Sequence, residues 1–227
     1  MRFEREALLA ARQVPPALLS AVKRDLRPTR PLASPSRRTL AVLPIGIALL
    51  AGIPALWRWR AELSALAPSS SWPLSAVEAA AGLAALAAAF HEAVPGRELS
   101  RRALAVVLSA VALAVLLASS THALGLTPAP LATTLRWIWE CVSRTTAFSL
   151  PALAIVTWLV ARAAPGRPAL TGALAGLGVG VMADAGLRLM CWDGDVPHVL
   201  VAHGGALALV TLVGALSAWL VDHARRR

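Results

Sequence analysis

The sequence contains no tyrosine, only three phenylalanines and only two cysteines in 227 residues. The cysteines, Cys141 and Cys191, form no CxxC pair, which excludes a disulfide-dense scaffold and a typical zinc ribbon. The chain also has no GxSxG, Walker A or HExxH motif and no paired carboxylates on facing loops. Because no ordinary catalytic constellation can be assembled, we predict that the protein is not an enzyme and needs no cofactor.

Two further absences bear on location and partners. The opening stretch, MRFEREALLAARQVPP, is charged and lacks an apolar core, so we predict no cleavable signal peptide. The net charge of +10 would on its own suggest a nucleic-acid partner. However, no basic stripe alternates with aromatic residues, and we therefore predict no direct binding of nucleic acid.

Apolar residues make up 57% of the chain, against about 45–50% in an ordinary soluble domain. They are gathered into blocks, and a membrane span needs about 20 mostly apolar residues. The pattern predicts an all-α, polytopic membrane protein with a bundle of six transmembrane helices, the second of which carries Glu78, His91 and Glu92 and has a weakly hydrophobic centre. The predicted spans are 40–57, 74–94, 103–122, 147–164, 170–190 and 199–221.

The distribution of basic residues predicts how the spans are oriented. Of the 22 lysines and arginines, all but five lie in the N-terminal tail, after the second and fourth spans, or at the C-terminus. The positive-inside rule then puts both termini in the cytoplasm. The chain divides into a cytoplasmic tail (1–38), a transmembrane domain (39–221) and a short basic tail (222–227). The five outer residues are Arg58, Arg60, Arg136, Arg144 and Arg188.

The two cysteines share the outer side of this topology. Cys141 is expected in the loop after the third span and Cys191 just beyond the end of the fifth, so both should be close together and accessible from outside. One interpretation is that they fill gaps as small, inert residues. The other is a thiol pair or disulfide that senses redox state, a metal or an oxidant, with His122 and His198 nearby. A disulfide needs Cα atoms about 4.4–6.8 Å apart, which the sequence does not establish.

Among the ionisable residues inside the predicted spans, those that could carry chemistry are Glu78, Asp184, Arg188 and His203. Each costs roughly 2.5–3.5 kcal/mol on insertion scales, so each should face the bundle and be paired. Asp184 and Arg188 are four apart and share one helical face. One interpretation is an internal Asp184–Arg188 bridge with a hydrogen bond from His203, and the alternative is a path for protons or a ligand.

Small residues recur every fourth position in the fifth span, at Gly172, Gly176 and Gly180. Such spacing allows close approach of helices. Packing within the chain is the favoured interpretation, and a homo-oligomer formed through this face is the alternative.

The N-terminal tail contains a short amphipathic pattern. Leu18, Leu19, Val22 and Leu26 lie on one helical face, with the charged residues 23–25 towards the other side. Pro28 and Pro31 end the predicted helix. A basic amphipathic helix can lie on anionic lipid. Alternatively, its apolar stripe can bind in a groove of a cytosolic partner.

Two stretches resemble the NrsF-type membrane anti-sigma factors. DLRPTRPL, 25–32, is similar to the segment before the first span of that family. The stretch 139–191, from WECVSR to GLRLMC, is similar to its C-terminal core, with a cysteine, a Pro in the fourth span, a Gly/Ala-rich fifth span and a second cysteine. Met190 and Trp192 stand where the family commonly has His and Pro, so the sequence predicts no metal site.

The resemblance implies six spans, a cytoplasmic tail, and sequestration of an extracytoplasmic-function (ECF) sigma factor at the inner membrane. It also implies a sensing role for Cys141 and Cys191, and it favours the partner interpretation of the tail over the lipid one. About 38 residues cannot bury a core of their own, so the tail should gain structure on binding. The predicted partner-binding residues are Leu18, Leu19, Val22, Asp25, Leu26, Arg27, Pro28, Arg30 and Leu32.

The predicted function is therefore a membrane anti-sigma factor that releases its sigma factor on an envelope, oxidative or light-derived signal. Two alternatives belong to other classes. A small transporter should show repeated halves around a midplane site, and only one Gly-rich span is found. A membrane thiol oxidoreductase usually has a CxxC dithiol, which is absent.

Overall fold

A computed structural model describes residues 15–25, 32–57, 68–124, 131–191 and 196–227. The chain forms two units, Met1–Leu32 and Ala33–Arg227. The first unit contains one described helix, α1, at Pro16–Asp25. Within the described ranges, the regular structure of the second unit is entirely helical, as predicted for an all-α protein.

Six helices of the second unit are long and apolar enough to cross a membrane, which confirms the six predicted spans. Two of them, α2 and α7, are composite, because each includes a π-helical turn. The segments of α2 are Pro35–Ile47, the π-helical Ala48–Gly52 and Ile53–Trp57, and those of α7 are Val196–His198, the π-helical Val199–Gly204 and Gly205–Arg226. The other four are α3 (Pro68–Glu92), α4 (Arg101–Leu124), α5 (Leu131–Ala161) and α6 (Pro168–Arg188).

Helix α5 differs from the sequence prediction, because it begins at Leu131 and not at residue 147. The segment 131–142, which lies before the predicted fourth span, is continuous with that span. No Pro or Gly interrupts residues 131–150. Glu140 also pairs with Arg136 and Arg144 at 2.9 Å each, one turn away on either side. The prediction that Cys141 lies in a loop is therefore wrong, since it lies within this helix.

Helix α6 is the centre of the bundle. Within its most apolar 18-residue stretch, 83% of the residues are buried, against 17% for the corresponding stretch of α4. Its glycines allow this burial: a Cβ atom at Gly172 would overlap the carbonyl oxygen of Gly214 in α7, and one at Gly176 would overlap that of Val210. The glycine stripe is thus covered by the last span of the same chain. The glycines therefore serve packing within the chain. The alternative, a homo-oligomer formed through this face, is wrong because the last span leaves no space there for a second copy.

Arginines hold together one end of the bundle, which we call the arginine end. The Arg38 guanidinium, at the start of α2, donates to the Leu159 carbonyl oxygen near the end of α5. Arg225, at the end of α7, donates to the Ala161 carbonyl oxygen. Arg167, just before α6, pairs with buried Glu92 at 2.6 Å. Starts of even-numbered helices therefore meet ends of odd-numbered ones, as an alternating up-and-down order of six spans requires.

Candidate functional site

The two cysteines meet at the opposite end of the bundle. Cys141 lies about three turns after the start of α5, and Cys191 lies three residues beyond the end of α6. Their Sγ atoms are 3.7 Å apart, and the residues are only 3% and 4% exposed. The predicted proximity is present, but the predicted accessibility is not, because the surrounding helices cover both side chains.

Two histidines join the cysteines. His198 Nε2 lies 3.2 Å from Cys191 Sγ, and the His198 and His203 rings lie edge to face with centroids 5.4 Å apart. One potential ligand atom from each of Cys141, Cys191, His198 and His203 lies within 4.8 Å of all the others, and all four residues are buried. We call these four residues the Cys2His2 cluster.

A π-helical turn explains why His198 and His203 face the same cluster. In a regular α-helix, residues five apart point in different directions, since 3.6 residues complete a turn. The turn at Val199–Gly204 is π-helical, and its hydrogen bonds join residues five apart. Sequence reasoning paired Cys191 with His198 and His122 but missed His203, because no residue-type signal in the sequence marks a π-helical turn. The His122 side chain lies outside the described residues.

An ionic chain leads from this cluster into the bundle. His203 Nδ1 is 2.5 Å from Asp184 Oδ1, and the other oxygen of Asp184 accepts from Arg188 Nε at 2.8 Å. Arg188 Nε is also 3.2 Å from Glu78 Oε2, and its Nη2 donates to Ser119 Oγ at 3.0 Å. The predicted Asp184–Arg188 pair and His203 contact are both present. The contributions of Glu78 to the same cation and of Ser119 were not foreseen.

The ionic chain ties α3, α4, α6 and α7 together. Glu78, Asp184 and His203 are fully buried, so their charges depend on each other and not on water. A buried charge that loses its partner is strongly destabilising. The arrangement therefore fixes the relative positions of four spans and holds the imidazole of His203 in one orientation next to the thiols.

The leucines of the tail that the structure describes are about half exposed. Leu18 and Leu19 of α1 are 55% and 45% exposed, and Leu32 is 46% exposed. Val22 and Asp25 belong to α1, but their side chains lie outside the described residues, as do Leu26, Arg27, Pro28 and Arg30 entirely. The predicted helix is thus present as far as the description extends.

Comparison with known proteins connects the chain to one family. A family model described as "NrsF: Negative regulator of sigma F" matches residues 23–221, which include the whole DLRPTRPL segment and almost the whole bundle. The resemblance found from the sequence is thereby confirmed. No curated protein and no solved structure gave a match.

Proposed function

Because this chain belongs to the NrsF family of negative regulators of a sigma factor, we propose that it sequesters an ECF-type sigma factor at the bacterial inner membrane through its N-terminal tail. Binding would keep the sigma factor from RNA polymerase, and an envelope, oxidative or light-derived signal would release it. The family match favours this regulatory function over the transporter and oxidoreductase alternatives.

The observation that carries the proposal is the exposed apolar face of α1. Leu18 and Leu19 are about half exposed on a helix of 10 residues. An isolated helix of this length is marginal in water, because nucleation is costly and few hydrogen bonds follow. A partner groove that covers the leucines would supply the missing stabilisation, which is the mode of recognition of an amphipathic helix in a groove.

The charges support a cytoplasmic position for the tail. The arginine end receives Arg38, Arg167 and Arg225, and the tail enters α2 at that end. The positive-inside rule assigns such an end to the cytoplasm, where a sigma factor is found. The Cys2His2 cluster would then lie towards the outer side, where an envelope signal arrives first.

Reporter fusions test this topology. Fusions after Arg97 and after Arg167 should report a cytoplasmic location, because both residues lie in arginine-rich turns. A fusion at Pro128 should report an external location. An external signal from the Arg97 fusion would contradict the orientation.

Two substitutions test the binding mode in the full-length chain. Leu19→Asp and Leu26→Asp should release the sigma factor constitutively, so that transcription from its target promoter rises while the membrane protein stays at normal abundance. Ser20→Asp is the matched control, because it adds the same charge to α1 on the side away from the leucine stripe. If both leucine substitutions leave the promoter silent, the tail does not bind as proposed.

A further inference from the structure

We propose that Cys141, Cys191, His198 and His203 form a buried site for one Zn²⁺ ion, with Asp184 supporting His203 from behind. This inference concerns the membrane bundle alone and does not depend on the binding of a sigma factor. Its basis is the placement of two sulfur and two imidazole nitrogen donors within 4.8 Å of one another, by α5, α7 and the segment after α6.

The spacing of the two sulfur atoms fits tetrahedral zinc. With Zn–S bonds of about 2.3 Å, tetrahedral geometry places two thiolate sulfurs about 3.8 Å apart. The Sγ atoms of Cys141 and Cys191 are 3.7 Å apart. The contact of 3.2 Å from Cys191 Sγ to His198 Nε2 puts a third donor on the same small polyhedron. Tetrahedral zinc ligands of these types lie about 3.3–3.8 Å apart, so atoms that lie within 4.8 Å of one another would need to move by about 1 Å at most.

The histidine–carboxylate contact assigns the ligand atom of the fourth residue. His203 Nδ1 faces Asp184 Oδ1 at 2.5 Å, which leaves Nε2 as the atom of that ring directed to the metal. Metal-binding histidines commonly donate their other N–H to a carboxylate, which fixes the tautomer and raises the basicity of the ligand. Asp184 is itself held by Arg188 at 2.8 Å, so the whole support is built into α6 and α7.

The donor set selects the class of ion. Two thiolates and two imidazoles are the ligands of structural Cys2His2 zinc sites, whereas Mg²⁺ and Ca²⁺ prefer oxygen. Charge also favours Zn²⁺, because two thiolates neutralise a divalent cation and leave the loaded cluster without net charge in a buried position. All four coordination positions are filled by the protein, which is the arrangement of a structural site and not of a catalytic one.

A metal ion at this site would link three spans of the bundle. Cys141 belongs to α5, Cys191 lies just after α6, and His198 and His203 lie near the start of α7. A metal ion bound to all four would fix the start of α5 and α7 to the end of α6, at the end of the bundle opposite the arginine end. Loss of the metal would loosen this one end.

The test measures metal in the full-length protein, purified in detergent under reducing conditions without chelator. We expect about one zinc per chain by elemental analysis. Replacement by Co²⁺ should give the intense visible bands of a tetrahedral site and a thiolate-to-cobalt charge-transfer band. Cys141→Ser and His203→Ala should lose the bound metal, whereas His223→Ala should keep it, because His223 is exposed and stacks on Trp219 at the opposite end.

A milder variant protects the test from failures of folding. Asp184→Asn keeps the four ligands and should weaken metal affinity by about 10–100-fold. The wild-type result decides the matter on its own. If the reduced wild-type chain contains no zinc and binds neither added Zn²⁺ nor Co²⁺, the proposal is overturned. It is equally overturned if the freshly isolated protein holds a Cys141–Cys191 disulfide and still binds no metal after reduction.

Discussion

Helices α1 and α6 both begin with a proline, but one is largely exposed and the other is almost entirely buried. Each starts with a proline, at Pro16 and Pro168, where the fixed φ and the missing N–H suit a first helical turn. The apolar window of α6 is 83% buried by helices of the same chain. In α1, by contrast, Leu18 and Leu19 remain about half exposed. One helix is covered by its own chain, and the other keeps an exposed apolar face, to which we propose that a partner binds.

Because of this difference, substitutions in α6 and in α1 should affect different properties, namely the stability of the bundle and the binding of a partner. Substitutions in α6 should lower the stability of the bundle and so reduce the amount of protein in the membrane. Substitutions on the apolar face of α1 should leave the bundle intact and change only the interaction with a partner.

Arg188→Ala should have the largest effect. It leaves the carboxylates of Glu78 and Asp184 buried without their shared cation, and breaking a buried pair costs about 3–5 kcal/mol. The free energy of unfolding in detergent or lipid discs is the measurement. Arg136→Ala is the control, because that side chain is 79% exposed and its pair with Glu140 is worth about 0–1 kcal/mol. Equal effects of the two variants would show that the buried ionic chain does not hold the spans together.

Gly172→Ala should come next, because its Cβ would overlap the Gly214 carbonyl oxygen and force α6 and α7 apart. Overpacking of this kind costs typically about 1–3 kcal/mol. Gly205→Ala makes the same chemical change where nothing lies within 4 Å of the new Cβ, so it should be neutral or slightly stabilising. Thermal unfolding of both variants gives the comparison. A stable Gly172→Ala protein would argue against the close contact of the two helices.

Leu19→Asp should have the smallest effect on the bundle. Leu19 is exposed in a unit separate from Ala33–Arg227, so the unfolding free energy should change by no more than about 0.5 kcal/mol. The same unfolding measurement on the full chain checks this. A clear loss of bundle stability would mean that α1 packs on the spans, and the contrast between the two helices would be lost.

The sequence predicted the bundle well because hydropathy and charge are local signals. Six apolar blocks and the alternation of basic segments were enough for the number and order of the spans. The start of α5 was missed, because the hydropathy of a span ends at the membrane whereas a helix continues until a residue breaks it. Residues 131–150 contain no such breaker.

The candidate site was only partly predictable. Asp184 and Arg188 are one turn apart on the same helix, so their pairing followed from spacing alone. The Cys2His2 cluster depends on contacts between separate helices and on the π-helical turn at Val199–Gly204, and neither can be read from residue types. Glu78 was recognised as a buried charge, but its partner belongs to a helix 110 positions later in the chain.

Direct measurement of sigma-factor binding by the full-length chain tests the central claim. Tagged wild-type protein, Leu19→Asp and Ser20→Asp would be purified from detergent extracts, and the sigma factors recovered with each would be quantified. Burying one leucine is worth about 1.5–3 kcal/mol, and about 1.4 kcal/mol is a tenfold change in affinity. We therefore expect wild type and Ser20→Asp to retain one ECF-type sigma factor and Leu19→Asp to lose it by tenfold or more. Equal recovery with all three proteins, or with a chain that lacks residues 1–32, would contradict sequestration through the tail.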